Sequence, residues 1–215
     1  MTELVEAAHV LARLGLVTAF GHVSVRQGEN VLVTPPADLG TVREDELITV
    51  PLDATELPAG APPEVWLHLA IYRRRPDAGA IARAQPEALF VAGAVTDELR
   101  PLHGQAAWLG ARVPVHPVPR LLRSEELATA AAETLGDSEA IVLRSNGGAA
   151  LGATPGLAVA RMWLLDVACR VWTQAHQGGK PEPLGEDDIT AWRAAEGPLL
   201  ERLWQHLKRK TEQSH

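Results

Sequence analysis

Residues 73–86 read Arg73-Arg74-Arg75-Pro76-Asp77-Ala78-Gly79-Ala80-Ile81-Ala82-Arg83-Ala84-Gln85-Pro86. Pro76-Asp77 stops any helix that arrives from the N-terminal side, because proline lacks the N–H that a helix interior needs. Gly79-Ala80-Ile81-Ala82 then reads as a short buried strand. Arg83 and Gln85 are two apart at its polar end, so they face the same side, and polar groups at strand ends often line pockets. The residues from Pro86 to Ala94 predict the next helix. Upstream, Pro63 fits the first turn of a helix from Glu64 to about Arg74, where a missing N–H costs nothing.

Outward from this helix–strand–helix unit the pattern continues. Val5, Ala8, Leu11, Ala12 and Leu16 share one stripe of a helix that starts at Leu4. Val23–Arg26 and Val31–Thr34 alternate as half-buried strands around the turn Gln27-Gly28-Glu29-Asn30, a hairpin. Glu46–Val50 is a further strand, and the proline-rich stretch 53–63 is a loop. Arg112–Val118 and Ala140–Leu143 are strand-like, the latter leading into the glycine turn Asn146-Gly147-Gly148. Helices are expected from Ser124 to Leu135, from the Thr154-Pro155 cap to about Gln177, and from Glu186 onward. Strand runs cluster and helices do not strictly alternate with them. That suits an α/β fold with a mixed, mainly antiparallel sheet and helices on both faces, in one domain.

The bulk composition agrees. At 215 residues with 46% apolar content the chain can bury one sizeable core. The net charge of −7, with both signs interspersed, argues against a general nucleic-acid partner. The single cysteine, Cys169, sits in an apolar helical stretch and reads as a buried inert thiol. No signal-peptide pattern and no run of membrane-spanning length are present, so a cytoplasmic protein is expected. The domain is expected to span 1–207, with 208–215, which begins Lys208-Arg209-Lys210, as a flexible tail.

Four places could carry chemistry. The loop Gly21-His22-Val23-Ser24-Val25-Arg26 lets the backbone approach a ligand, yet it also reads as a plain turn. Glu64 and His68, four apart on one helical face, could share a proton or a metal. Equally, Glu64 is a carboxylate favoured by a helix N-terminus and His68 is a packed histidine. Arg83 and Gln85 form the third place, and Leu143-Arg144-Ser145-Asn146-Gly147-Gly148 the fourth.

The order of these segments resembles the class II aldolase/adducin family. They are Gly-His-Val-Ser-Val-Arg, Val-Thr-Pro-Pro, Pro-Pro-Glu with His four residues on, Arg-Pro-Asp-Ala followed by Arg83-Ala84-Gln85-Pro86, and Ser145-Asn146-Gly147-Gly148. The resemblance runs from about Leu4 to Gln177. It implies that Arg83, Gln85 and Asn146 stand where the family carries three metal-binding histidines. Arginine has no lone pair to give, and amides are poor zinc ligands, so no metal is expected at the usual place. His22, Pro36-Ala37 and Pro62-Pro63 replace the residues of the family's phosphate cradle, and proline donates nothing. A phosphorylated sugar is therefore not the expected substrate. Glu64 and His68 are retained; the resemblance implies that Glu64's position acts as the acid/base or contacts the metal, which makes Glu64 the best single candidate for a catalytic residue.

Two expectations follow for function. The first is a metal-independent lyase (decarboxylase, retro-aldolase or dehydratase) acting on a small non-phosphorylated carbonyl or carboxylate compound. Glu64 and Arg83 would be catalytic, with His22, His68, Gln85, His103 and Asn146 binding the substrate. The second is a non-catalytic binding or assembly module resembling the adducin head. Lys180, Lys208 and Lys210 are the only lysines among 20 basic residues, so Arg83 in a vacated position could reflect composition. A relocated divalent metal on Glu64, His68 and His22 or His103 is a third possibility. The resemblance also implies a homo-oligomer, a tetramer with pockets at subunit boundaries. Trp108, Trp192 and Trp204 are candidate contact residues, with core packing the alternative for each.

Overall fold

The computed structural model describes residues 1–212. In chain order the elements are α1 (Glu3–Arg13), β1 (His22–Gln27), β2 (Asn30–Val33), β3 (Ile48–Pro51), α2 (Val65–Arg74), β4 (Ala80–Ala84), α3 (Glu87–Val95) and β5 (Glu98–Leu99). They continue with β6 (Val113–His116), α4 (Glu125–Leu135), β7 (Ala140–Leu143), β8 (Gly148–Gly152), α5 (Pro155–Gln177), α6 (Glu186–Ala194) and α7 (Glu196–Glu212). Short 3-10 turns cover Glu44–Glu46 and Gly104–Leu109.

The eight strands lie in the order β3-β2-β1-β4-β8-β7-β6-β5. Only β6 and β7 run parallel; every other neighbouring pair is antiparallel. Period-two alternation along the central strands divides the core into two layers. Ala80, Ala82, Ala84, Ala140, Val142 and Ala150 face α1, α3, α5 and α7. Ile81, Ile141, Leu143, Ala149 and Leu151 face α2 and α4. This is the expected mixed sheet with helices on both sides. Among the described residues no helix is long and apolar enough to cross a membrane.

The largest departure from expectation is β8, which had been read as little more than a glycine turn. Gly-Ala-Ala-Leu-Gly lacks the branched residues that mark a strand, but its small side chains are what the centre of this sheet requires. A Cβ on Gly148 would lie 2.6 Å from the Ile141 carbonyl oxygen, and one on Gly152 would lie 2.3 Å from the Ala158 nitrogen of α5. The helix expected from Glu186 is broken at Ala195 into α6 and α7. The tail expected from 208 is not loose at its start: α7 continues to Glu212 and Thr211 is buried. The remaining residues, 213–215, lie outside the described part. Trp108 and Trp204 are core residues, and so are not subunit contacts. Trp108 is buried and donates its indole N–H to the Trp192 carbonyl at 2.9 Å, while Trp204 packs over Gly156. Trp192 remains 40% exposed.

The β7–β8 turn holds the site's asparagine. Its N–H reaches the Leu143 carbonyl at 2.9 Å, with Ser145 at φ 59° and Gly147 at φ 77°. A Cβ on Gly147 would sit 2.2 Å from the Ala84 carbonyl oxygen and 2.8 Å from the Gln85 Cα, both on a backbone that cannot yield. Gly147→Ala is expected to cost about 1–3 kcal/mol through backbone strain alone. An unchanged urea midpoint would contradict this.

Candidate functional site

One end of the sheet gathers the polar residues. His22 begins β1, Arg83 is near the end of β4, and these two are direct partners in the β1–β4 register. Glu64 immediately precedes α2, and Asn146 sits in the β7–β8 turn. Together with Gln85, Phe20, Phe90, Leu121, Arg123, Pro36 and Pro63 they line a cleft of about 510 Å³. A larger open hollow of about 840 Å³ lies beside α1 and α5 and shares Gln85, but its one buried acid, Asp166, is already paired with Arg170 at 2.7 Å. The smaller cleft is where the candidate groups converge.

Arg83 is only 2% exposed. Its Nη2 donates to Asn146 Oδ1 at 2.8 Å, and Gln85 Nε2 donates to the same oxygen at 2.9 Å. Asn146 Nδ2 donates in turn to the Arg120 carbonyl at 3.4 Å. Arg83, Gln85 and Asn146, the three residues that the resemblance sets in the histidine positions, thus form one network. Its donor set does not fit a divalent metal: one member is a guanidinium, the other two are amides, and the Asn146 oxygen already accepts from two N–H groups. Among the described residues no group of three or more His, Cys, Asp or Glu side chains could hold a metal ion.

Glu64 and His68 were expected to share a helical face, and the structure separates their roles. Glu64 turns into the cleft, where its Oε1 accepts from Arg123 Nε at 2.8 Å. Arg123, on the segment between β6 and α4, has no motif to mark it in the sequence and was not among the expected residues. His68 does not reach the cleft. It is fully buried, and its Nδ1 lies 2.7 Å from the Ser24 hydroxyl, which is 2.8 Å from the Tyr72 hydroxyl. His22 and Ser24 are on one face of β1, while His68 and Tyr72 are four apart on the α2 face packed against it. The His22 and His68 rings meet edge to face at 6.0 Å. His103 is elsewhere, before the 3-10 turn beside β5 and α6, in a small apolar recess. Its place in the expected binding set, and in a relocated metal site, is therefore lost. Cys169 is buried in α5, and burial pushes its thiol up, as expected of an inert group.

Burial, then the Arg83 guanidinium, pushes the His22 imidazole down to about 3. His68 is held well below the usual histidine range, by burial first and then by His22 and Arg83. Both rings are neutral in the folded protein at neutral pH. An unfolded chain protonates them near pH 6.5, so below that pH it binds protons that the native state refuses. Stability falls as pH drops from 6.5 towards 3, by up to about 1.4 kcal/mol per unit for each ring. Between pH 6.5 and 5, His22→Asn is expected to lose about 2 kcal/mol less than the wild type in urea unfolding. Parallel losses would show that folding does not shift the His22 imidazole.

A mixed α/β sheet with a polar cleft at one strand end, floored by Arg83 and walled by Glu64, defines a domain of the aldolase type. The model of the class II aldolase and adducin N-terminal domain matches residues 2–173, and the chain belongs to that family. It is 29% identical over 220 residues to 3,4-dihydroxyphthalate decarboxylase of Arthrobacter keyseri, covering 93% of this chain and 89% of that one. A protein of the same name from Terrabacter sp. (strain DBF63) is 30% identical, over 86% of this chain and 85% of its own. Among solved structures, L-fuculose 1-phosphate aldolase superposes with a TM-score of 0.82 at 21% identity, covering 90% of this chain and 93% of that one. Membership and relatives support a lyase-type enzyme.

Proposed function

We propose that the protein is a metal-independent lyase acting on a small non-phosphorylated carboxylate, and among lyases a decarboxylase of a hydroxylated aromatic acid. The observation that carries this reading is the buried Arg83 guanidinium, tied to Asn146 and opening on the same cleft as Glu64. In this reading a ring hydroxyl next to the carboxylate gives its proton to solvent and becomes a carbonyl as the carbon that bears the carboxylate takes up a proton of its own. Glu64 delivers that proton. The bond from ring to carboxylate then breaks and carbon dioxide leaves; the electron pair restores the aromatic ring and places charge on the ring oxygen, where Arg83 takes it until solvent returns the proton. The sum is one carboxylate and one proton consumed for one arene and one carbon dioxide, with Glu64 reloaded from solvent.

Pro36 and Pro63 on the cleft wall support the non-phosphorylated substrate, since neither offers an N–H to a phosphate. The names of the two decarboxylase relatives support the choice within lyases. The test is a panel of hydroxylated benzene carboxylates, scored by carbon dioxide release and by thermal shift. At least one should be consumed by the wild type, and Arg83→Ala should neither consume it nor be stabilised by it. If no carboxylate, ketone or sugar acid moves the melting temperature, the enzyme reading falls and the assembly-module reading takes its place. Metal independence has its own test: purified protein should carry less than stoichiometric zinc and lose no activity to a chelator. About one equivalent of metal, removed with loss of function, would overturn it.

The chain is further proposed to form a homo-oligomer, with the tetramer as the form that the resemblance implies. Phe20, Phe90 and Leu121 are exposed around the mouth of the cleft, an apolar rim of the kind that subunit contacts cover. A monomer by light scattering at micromolar concentration would refute this.

A further inference from the structure

Arg123 is the feature of the cleft that the mechanism leaves unused. Its Nε donates to Glu64 at 2.8 Å, the one hydrogen bond that Glu64's carboxylate receives among the described residues. The two ends of this pair are unequal: the Arg123 side chain is 55% exposed and that of Glu64 11%. Neither terminal nitrogen of Arg123 hydrogen-bonds a protein group among the described residues, although the side chain lines the cleft. The pair therefore joins a buried acid to a half-exposed cation with donors to spare. An ion pair with one partner half in water is weak and readily exchanged.

We propose that Arg123 is a substrate-operated latch, which closes on Glu64 in the free protein and transfers to a second acidic group of the substrate on binding. The inference rests on the lyase reading of this cleft and names its substrate class: a flat acid bearing two anionic groups. With His22 neutral, the lining carries two cations, Arg83 and Arg123, and one anion, Glu64. One acidic group of the ligand takes Arg83 at the floor. The other takes Arg123 at the rim, where a guanidinium forks onto a carboxylate. Phe20, Phe90 and Leu121 offer apolar walls for a ring between them. Drawing Arg123 away uncovers Glu64 only when the ligand has brought its own second charge. An acid with a single anionic group leaves the latch shut.

The test uses benzoate and phthalate as probes, with calorimetric binding to the wild type and to Arg123→Ala, Arg123→Lys, Glu64→Gln and Arg83→Ala. Wild type should bind phthalate at least about tenfold more tightly than benzoate. Arg123→Ala should shrink that preference below about threefold by weakening phthalate alone, and Arg123→Lys should restore part of it. Glu64→Gln should tighten phthalate and leave benzoate unchanged, because Arg123 then has only a neutral amide to leave. A merely structural clamp would not move in that direction. A phthalate preference that survives Arg123→Ala overturns the latch, as does an equal loss of both acids. If both probes bind equally and both need Arg83, the latch falls and the lyase reading stands. If neither binds the wild type, both fall together.

Discussion

Arg83→Lys is expected to lose nearly as much activity as Arg83→Ala, on the order of a hundredfold to a thousandfold in rate, or about 3–4 kcal/mol of transition-state stabilisation. Lysine keeps the charge, but it cannot hold Asn146 with one nitrogen of a rigid plane while presenting another to the substrate. Arg83 Nη2 is already committed to Asn146 Oδ1 at 2.8 Å, and that oxygen is shared with Gln85. The aim of the guanidinium is therefore set by the network as well as by β4. Stability should move the other way. Burial pushes the Arg83 guanidinium down, the mark of a charge held at a cost. Its Nε is buried without a partner. Arg83→Met should therefore melt no lower than the wild type, and higher if the methionine packs against Ile81 and its neighbours. A variant that loses activity and stability together would mean that Arg83 is structural. Steady-state rates beside thermal melts separate the two outcomes.

Glu64→Gln is the second large effect. The amide keeps the shape of the side chain and can still accept from Arg123, but it cannot pass a proton. Loss of a positioned general acid costs roughly a hundredfold to ten-thousandfold. The loss should fall on kcat while binding of the acid is kept or, for a doubly charged acid, tightened, since Arg83 and Arg123 both remain. A fall in affinity with kcat preserved would assign Glu64 to binding and would leave the proton donor to be found elsewhere in the cleft. Arg123→Ala provides the contrast, because it leaves Glu64 in place and should act mainly through KM.

Much of this site was legible before any coordinates. Arg83 and Gln85 lie two apart at the end of a strand, and that parity alone puts them on one side. Glu64 follows two prolines at a helix start, and Asn146 precedes a glycine pair. The misreadings share a cause. His68 is four residues from Glu64, yet Glu64 lies just outside the helix, in its N-terminal turn, and its side chain turns towards Arg123. The face that they were expected to share is given over to the sheet. His103 was placed by its residue type alone, and nothing local specifies which end of a sheet a loop visits. Arg123 looks like any other arginine in a chain that prefers arginine to lysine.

The sequence by itself determined most of the elements and their order. Hydrophobic period sets strand or helix, proline and glycine set their ends, and the order of polar segments identified the family. It also set the expectation that Arg83, Gln85 and Asn146 do not hold a metal as histidines would, because ligand chemistry belongs to the side chain wherever it stands. Only the tertiary structure decided that Asn146 Oδ1 is taken by both Arg83 and Gln85, and that Arg123 covers Glu64. It also made a central strand of Gly148–Gly152. Each of these depends on residues far apart in the chain meeting across the sheet. Gly148 and Gly152 carry no local preference for a strand; the closeness of Ile141 and α5 decides their conformation. Such contacts are fixed when the layers pack, and no pattern within a single segment encodes them.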